Sequence, residues 1–124
     1  MKRILVVEDN DLVMGMLLAV IKHLDNTIEV DHVESAEEAL ELFEQNKYIL
    51  IITDISLIKM NGLELCLKIR KKDKIVKIIG ISGHNSLLNT NNLGIAGFNS
   101  WFVKPDGYTD FIKEVGKIIK GIDK

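Results

Sequence analysis

Four apolar stretches of the chain each run into residues that packing alone does not ask for. Ile4–Val7 runs into Glu8 and Asp9, Ile49–Thr53 into Asp54, Val76–Ser82 closes on Ser82 and Gly83, and Phe98–Val103 runs into Lys104 and Pro105. Together they offer three carboxylates, a hydroxyl and an ammonium. An all-oxygen donor set with no cysteine or nearby histidine favours Mg²⁺ or Mn²⁺ over Zn²⁺. Mg²⁺ commonly takes one or two carboxylates, keeps several waters and accepts a phosphate oxygen. Brought to one place, these residues are suited to receiving a phosphoryl group. Two like charges about 4 Å apart repel by roughly 4 kcal/mol at an effective dielectric near ~20. Lys104 supplies one compensating charge, and a divalent cation would offset most of the remainder.

The elements that must position these residues are written in the hydrophobic pattern. Five runs rich in Ile or Val have strand length: Ile4–Val7, Ile28–Val33, Ile49–Thr53, Val76–Ser82 and Phe98–Val103. The first, third and fourth do not alternate cleanly, which fits strands covered on both faces, as in a parallel sheet. Helical spacing fills the intervals. Leu12, Val13, Met16, Leu17, Val20, Ile21 and Leu24 fall on one face of a first helix, leaving Met14 and Leu18 off the stripe. Ser35 and Glu38 form a capping box opening a second, with Ala39, Leu40 and Phe43 behind it. Gly62 precedes a third that carries Leu63, Leu67 and Ile69. Asn85, Asn89, Asn91 and Asn92 make the fourth, at about 85–93, short or weak. The last begins near Tyr108 and spaces Phe111, Ile112, Val115, Ile118 and Ile119 along one face. Alternating βα units predict an α/β fold with a doubly wound parallel sheet and helices on both faces. Sites in such sheets form at the carboxyl ends of the strands, where Glu8, Asp9, Asp54, Ser82 and Lys104 all fall.

Composition bounds the function further. A length of 124 residues predicts one domain over 1–124, with Gly121–Lys124 either a native tail or the stub of a linker. A formal net charge of −2 gives no electrostatic footprint for direct nucleic-acid binding. The basic run Arg70-Lys71-Lys72-Asp73-Lys74 reads as a helix end entering a solvated loop. One cysteine, Cys66, excludes an internal disulfide, and its helical setting between Leu63 and Leu67 reads as a packed thiol. His23 and His32 read as surface residues. Glu8 and Asp9 interrupt the N-terminal apolar run too soon for a signal peptide, and no run approaches the ~20 residues that span a bilayer. The expectation is a soluble cytoplasmic domain without membrane contact.

With these residues in order, the chain resembles a response-regulator receiver domain of two-component signal transduction. The resemblance covers essentially the whole chain and rests on an acidic pair after the first strand, a lone Asp after the third, Ser after the fourth, an aromatic, and Lys-Pro after the fifth. It implies a CheY-like, flavodoxin-like fold with strand order 2-1-3-4-5. It implies that Asp54 is the phosphoacceptor and that a histidine kinase or histidine phosphotransfer protein is the donor. Asp9 and Asp54 would bind Mg²⁺ directly, Glu8 through a water, and the Ser56 backbone carbonyl would add a ligand. Lys104, aimed by a cis bond to Pro105, would pair with Asp54 and then with a phosphoryl oxygen. Ser82 would hydrogen-bond another oxygen, and Trp101 would be the switch aromatic. The output is then the surface of the fourth helix, fifth strand and fifth helix. It is read by a downstream protein or a covalently linked output domain, or used for dimerisation. Its own chemistry would be limited to accepting phosphoryl and letting water remove it.

Departures from the family pattern are Ile58 in place of proline, Asn61 in place of an acid before Gly62, Asp106 after Lys-Pro, and Gly83 after Ser82, which opens the phosphoryl site to water. Ser56, Gly83 and His84 hold positions that tune phosphoryl lifetime; His84 is alternatively an ordinary loop histidine. Met14 and Leu18 are either scattered exposed apolar residues or part of a docking patch for a kinase bundle. A haloacid-dehalogenase-like phosphatase with Asp9 as nucleophile in Asp9-Asn10-Asp11 is the enzymatic alternative, but it leaves Asp54 unexplained. A receiver that only binds partners without phosphorylation is the other, opposed by the intact set of acids, hydroxyl and lysine. A flavodoxin-type cofactor domain is disfavoured because the loop after the first strand is acidic and would repel phosphate.

Overall fold

The computed structural model describes residues 2–55, 61–83, 90–103 and 108–121, with only the backbone at 90–92. Strands β1 (Arg3–Val7), β2 (Glu29–Val33), β3 (Leu50–Asp54), β4 (Lys77–Ser82) and β5 (Ser100–Val103) alternate with helices α1 (Asp11–Leu24), α2 (Ala36–Gln45), α3 (Gly62–Lys72), α4 (Thr90–Ala96) and α5 (Tyr108–Lys120). The strands form one sheet in the order β2-β1-β3-β4-β5, and every pairing is parallel. The three runs that fail to alternate are the three central strands, and β3 is buried along its whole length. The edge strands β2 and β5 are only half-buried. A strand covered on both faces has no solvent side, so its sequence loses the polar half of the alternation.

Successive side chains of a strand point to opposite faces, and the core divides accordingly. Leu5, Val7, Ile51 and Ile78 pack with α2, α3 and α4 residues such as Ala39, Leu65 and Ala96. Ile4, Val6, Ile52 and Ile79 pack on the other side with α1 and α5, through Leu17, Ile21, Phe111 and Val115. Burying one such side chain is worth about 1.5–3 kcal/mol, so both helix layers are pinned to the strands that carry the polar ends.

Caps set where the helices begin. Asn10 Oδ1 accepts the Val13 N–H at 3.0 Å, and Asn61 Oδ1 accepts the Glu64 N–H at 2.9 Å. The amide at position 61 thus does the work of an N-cap, typically worth about 1 kcal/mol. Ser35 caps α2 as expected, its Oγ accepting the Glu38 N–H at 3.2 Å, while its hydroxyl rather than its backbone N–H donates to Glu38 Oε1 at 3.1 Å.

Three expectations are corrected. In α1 the core face is rotated: Met14 is buried with Leu17 and Ile21, Leu18 packs partly against them, and Leu12 is 87% exposed. Apolar residues occupy most positions of this helix, so periodicity alone does not fix its phase, and Met14 and Leu18 form no exposed patch. In α3 the buried residues are Gly62, Leu65, Cys66 and Ile69, while Leu67 faces outward. The described part of the fourth helix, Thr90–Ala96, runs past the expected end near 93, and residues 84–89 lie outside the described ones.

The basic run also holds one half-buried residue with its own partners. Arg70 Nε donates to the Gly97 carbonyl at 2.9 Å, Nη1 to Asp73 at 3.2 Å and Val76 at 2.7 Å, and Nη2 to Asn99 Oδ1 at 2.9 Å. This fork ties the end of α3 to the start of β4 and the turn after α4. That turn needs Gly97, whose φ is +107° and whose missing β-carbon leaves room for the Arg70 side chain.

Candidate functional site

The register of the sheet places the acids. Val7 is opposite Thr53 across β1 and β3, so Glu8 and Asp9, just beyond β1, stand beside Asp54. One carboxylate oxygen from each of Glu8, Asp9 and Asp54 lies within 4.8 Å of the others. Glu8 and Asp54 are buried, at 1% and 7% exposure, while Asp9 opens to solvent. Glu8 is anchored twice: its N–H donates to the Val33 carbonyl at 3.0 Å, and its Oε2 accepts the Asn10 N–H at 3.1 Å. Asn10 therefore caps α1 with its side chain and holds a carboxylate with its backbone.

The backbone at Asp54 is fixed from several sides. The Thr53 hydroxyl donates to the Asp54 carbonyl at 3.0 Å. The Ile55 N–H donates to Ile81 at 2.9 Å, and the Gly62 N–H to Ile55 at 3.0 Å. Thr53 and Gly62 were missed as site residues by the sequence reading; a lone threonine in an isoleucine run and a glycine at a helix start are weak signals. Ser82 is fully buried at the end of β4, in register with Val103 of β5. Trp101 is half-buried and packs against the cluster that contains Ile55, Leu93 and Ala96. Gly83 is exposed, with open space where a β-carbon would stand. His23 and His32 are exposed. Ser56, Ile58, His84, Lys104, Pro105 and Asp106 lie outside the described residues.

Two buried carboxylates with a third beside them carry negative charge that the interior screens poorly. The donor set is hard oxygen throughout, and its spacing fits a small divalent cation. Asp11, the second acid of Asp9-Asn10-Asp11, sits exposed in the first turn of α1 and is not part of the cluster, whereas Asp54 is. Asp11 therefore gives the phosphatase reading no second acid in the cluster beside Asp9. Cys66 is fully buried in α3, its thiol donates to the Ala96 carbonyl at 3.2 Å, and burial pushes its pKa up to about 11. It is a packed thiol, not a nucleophile. Among the described residues, no helix is long and apolar enough to cross a membrane.

Fold and site together define a doubly wound α/β domain with an acidic pocket at the carboxyl edge of its sheet. A model of the response regulator receiver domain family matches residues 4–115, and the chain belongs to that family. The heme response regulator HssR of Staphylococcus saprophyticus is 26% identical over 106 residues, covering 82% of this chain and 47% of that protein. The chain spans less than half the length of curated relatives such as this one. Among solved structures, the response regulator TrrA of Thermotoga maritima, in complex with Mg²⁺ and BeF, gives a TM-score of 0.84 at 31% identity over 95% of this chain and 99% of that one. TrrA in complex with the histidine kinase ThkA gives a TM-score of 0.81 at 31% identity, covering 96% and 99%. The resemblance read from the strand ends holds, as does the strand order it implied.

Proposed function

We propose that this chain is a phosphorylatable receiver whose phosphoacceptor is Asp54. The observation that carries this reading is the placement of the buried Asp54 carboxylate within 4.8 Å of carboxylate oxygens of Glu8 and Asp9. An Asp54 oxygen attacks the phosphorus of a phosphohistidine on a histidine kinase or histidine phosphotransfer protein. The P–N bond breaks, the imidazole leaves with its electron pair and takes a proton, and an acyl phosphate remains on Asp54. Asp9 and Asp54, with the Ser56 carbonyl, are the residues that would hold Mg²⁺ (or Mn²⁺), and Glu8 would hold a water of its shell. When bound, the cation neutralises the acids and the charge of the phosphoryl oxygens. Lys104 pairs with one phosphoryl oxygen and Ser82 donates to another. Water then hydrolyses the acyl phosphate, at a rate set in part by Ser56, Gly83 and His84.

Ser82 moving toward the phosphoryl group vacates space beneath β5, and Trp101 turns inward. The face formed by α4, β5 and α5 changes with it. That face is read by a downstream protein or an attached output domain, or pairs two copies of the chain. The test is Mg²⁺ titration by calorimetry, with Trp101 fluorescence followed on adding acetyl phosphate. Wild type should bind Mg²⁺ and show a fluorescence change, and Asp54→Asn should show no change with acetyl phosphate. A chain that takes up no Mg²⁺ contradicts the reading.

A further inference from the structure

On the flank of the molecule, away from the acidic pocket, a groove of about 380 Å³ runs between α3 and α4. Leu67, Ile95 and Ala96 supply its apolar lining and Arg70, Lys71 and Lys74 its cations. Leu67 is 47% exposed and Ile95 80%, and Ile75, next to Lys74, is 86% exposed. Single exposed aliphatics are ordinary, but Leu67 and Ile95 line one shallow depression whose other side chains include Lys71 and Lys74.

The charge of this flank is one-sided. Arg70, Lys71 and Lys74 line the groove and no acid does, in a chain whose net charge is −2, whereas Lys68 and Lys72 lie on the α2 side of α3 with Glu44. The Asp73 carboxylate accepts the Ile75 and Val76 N–H groups at 2.8 and 3.0 Å, and Arg70 is bound to backbone carbonyls. Lys72 pairs with Glu44. Lys68, Lys71 and Lys74 are exposed and have no salt bridge among the described residues. The helix dipole accounts for cations in the last turn of α3. It does not account for Lys74 beyond the cap or for the exposed Ile75 beside it.

We propose that the α3–α4 groove docks an acidic segment of a partner protein that carries leucine-like anchors. The anchors would cover Leu67 and Ile95 while flanking carboxylates meet Lys71 and Lys74. Charge complementarity sets the acidic character of this partner, and the aliphatic, concave lining sets its anchors. A nucleic acid would bring phosphates against Leu67 and Ile95, with no aromatic side chain among the described lining residues to stack on. This inference is independent of phosphorylation at Asp54.

The test is a titration of the isotope-labelled full chain, followed by amide resonances, with a synthetic helical peptide of Glu and Leu. An equally charged Glu and Ser peptide, duplex DNA and vesicles containing phosphatidylglycerol serve as comparisons. Shifts should cluster at Leu67, Lys71, Lys74 and Ile95. Ile95→Asp, an exposed substitution that keeps the fold, should weaken the Glu and Leu peptide by at least about tenfold. Lys71→Glu with Lys74→Glu should do the same. No binding of that peptide, equal binding of the Glu and Ser peptide, or tighter binding of DNA or vesicles at these residues would overturn the proposal.

Discussion

Gly62 is folded so closely against Asp54 that a β-carbon added to it would stand 2.6 Å from the Asp54 carbonyl oxygen and 2.8 Å from Ile55 Cα. The start of α3 therefore rests on the backbone that carries the central carboxylate. The contact is with main chain, which cannot turn aside as a side chain could. A side chain at position 62 would press on the backbone of Asp54 and Ile55.

The first prediction contrasts two glycines. In a helix, Gly→Ala ordinarily stabilises by about 0.5–1 kcal/mol. Gly15, in α1 with nothing within 4 Å of an added β-carbon, should behave that way. Gly62→Ala should instead destabilise by about 1–3 kcal/mol through overpacking, and should weaken Mg²⁺ binding. Urea unfolding and Mg²⁺ titration of both variants check this; equal and stabilising effects would contradict it.

Charge removal in the acidic pocket should change sign with the cation. In chelator, Asp54→Asn or Asp9→Asn relieves like-charge repulsion and should raise the melting temperature by about 2–5 °C. In saturating Mg²⁺ the order should reverse, because the variants lose the cation's stabilisation. Thermal melts of the three chains with and without Mg²⁺ give the answer, and a variant less stable than wild type in chelator would speak against the repulsion.

Arg70 should not tolerate its usual replacement. Lysine keeps the charge but cannot form the fork that reaches Gly97, Asp73, Val76 and Asn99 together. Arg70→Lys should cost about 2–4 kcal/mol in urea unfolding, and Lys71→Arg next to it close to nothing. A cost for Arg70→Lys below about 1 kcal/mol would mean that the turn after α4 holds without the fork.

The contrast between Arg70 and Asp54 shows what the sequence could and could not reveal. Asp54 stands out because a carboxylate at the end of Leu50–Thr53 has no packing reason to be there, and β3 proves buried throughout. The central strands were legible for the same reason: solvent-free strands lose alternation. Arg70 sits among Lys71, Lys72 and Lys74, and only the turn at Gly97, distant in sequence, reveals its separate task. Met14 and Leu12 differ in burial although both are apolar, because the phase of α1 is set by the sheet beneath it. Gly62 was legible as a helix start, but its contact with Asp54 depends on a crossover that no local pattern encodes.

Burial of Cys66 makes a prediction in pH. Its folded pKa, about 11, lies above the ordinary thiol value of 9.0, so the folded state holds the proton more tightly. The contribution to stability is complete below pH ~9 and is lost as pH rises toward ~11. Cys66→Ser should lack this alkaline loss. At pH 8 the native thiol should resist a disulfide reagent and react promptly once unfolded; fast native labelling would contradict the burial.

The most direct measurement of the central claim is the position of the covalent phosphoryl group. Incubation with Mg²⁺ and acetyl phosphate, followed by borohydride reduction and peptide mass analysis, should convert Asp54 alone, and Asp54→Asn should yield no modified peptide. Reduction at Asp9 or Glu8 in the wild type, or equal labelling of Asp54→Asn, would contradict the account.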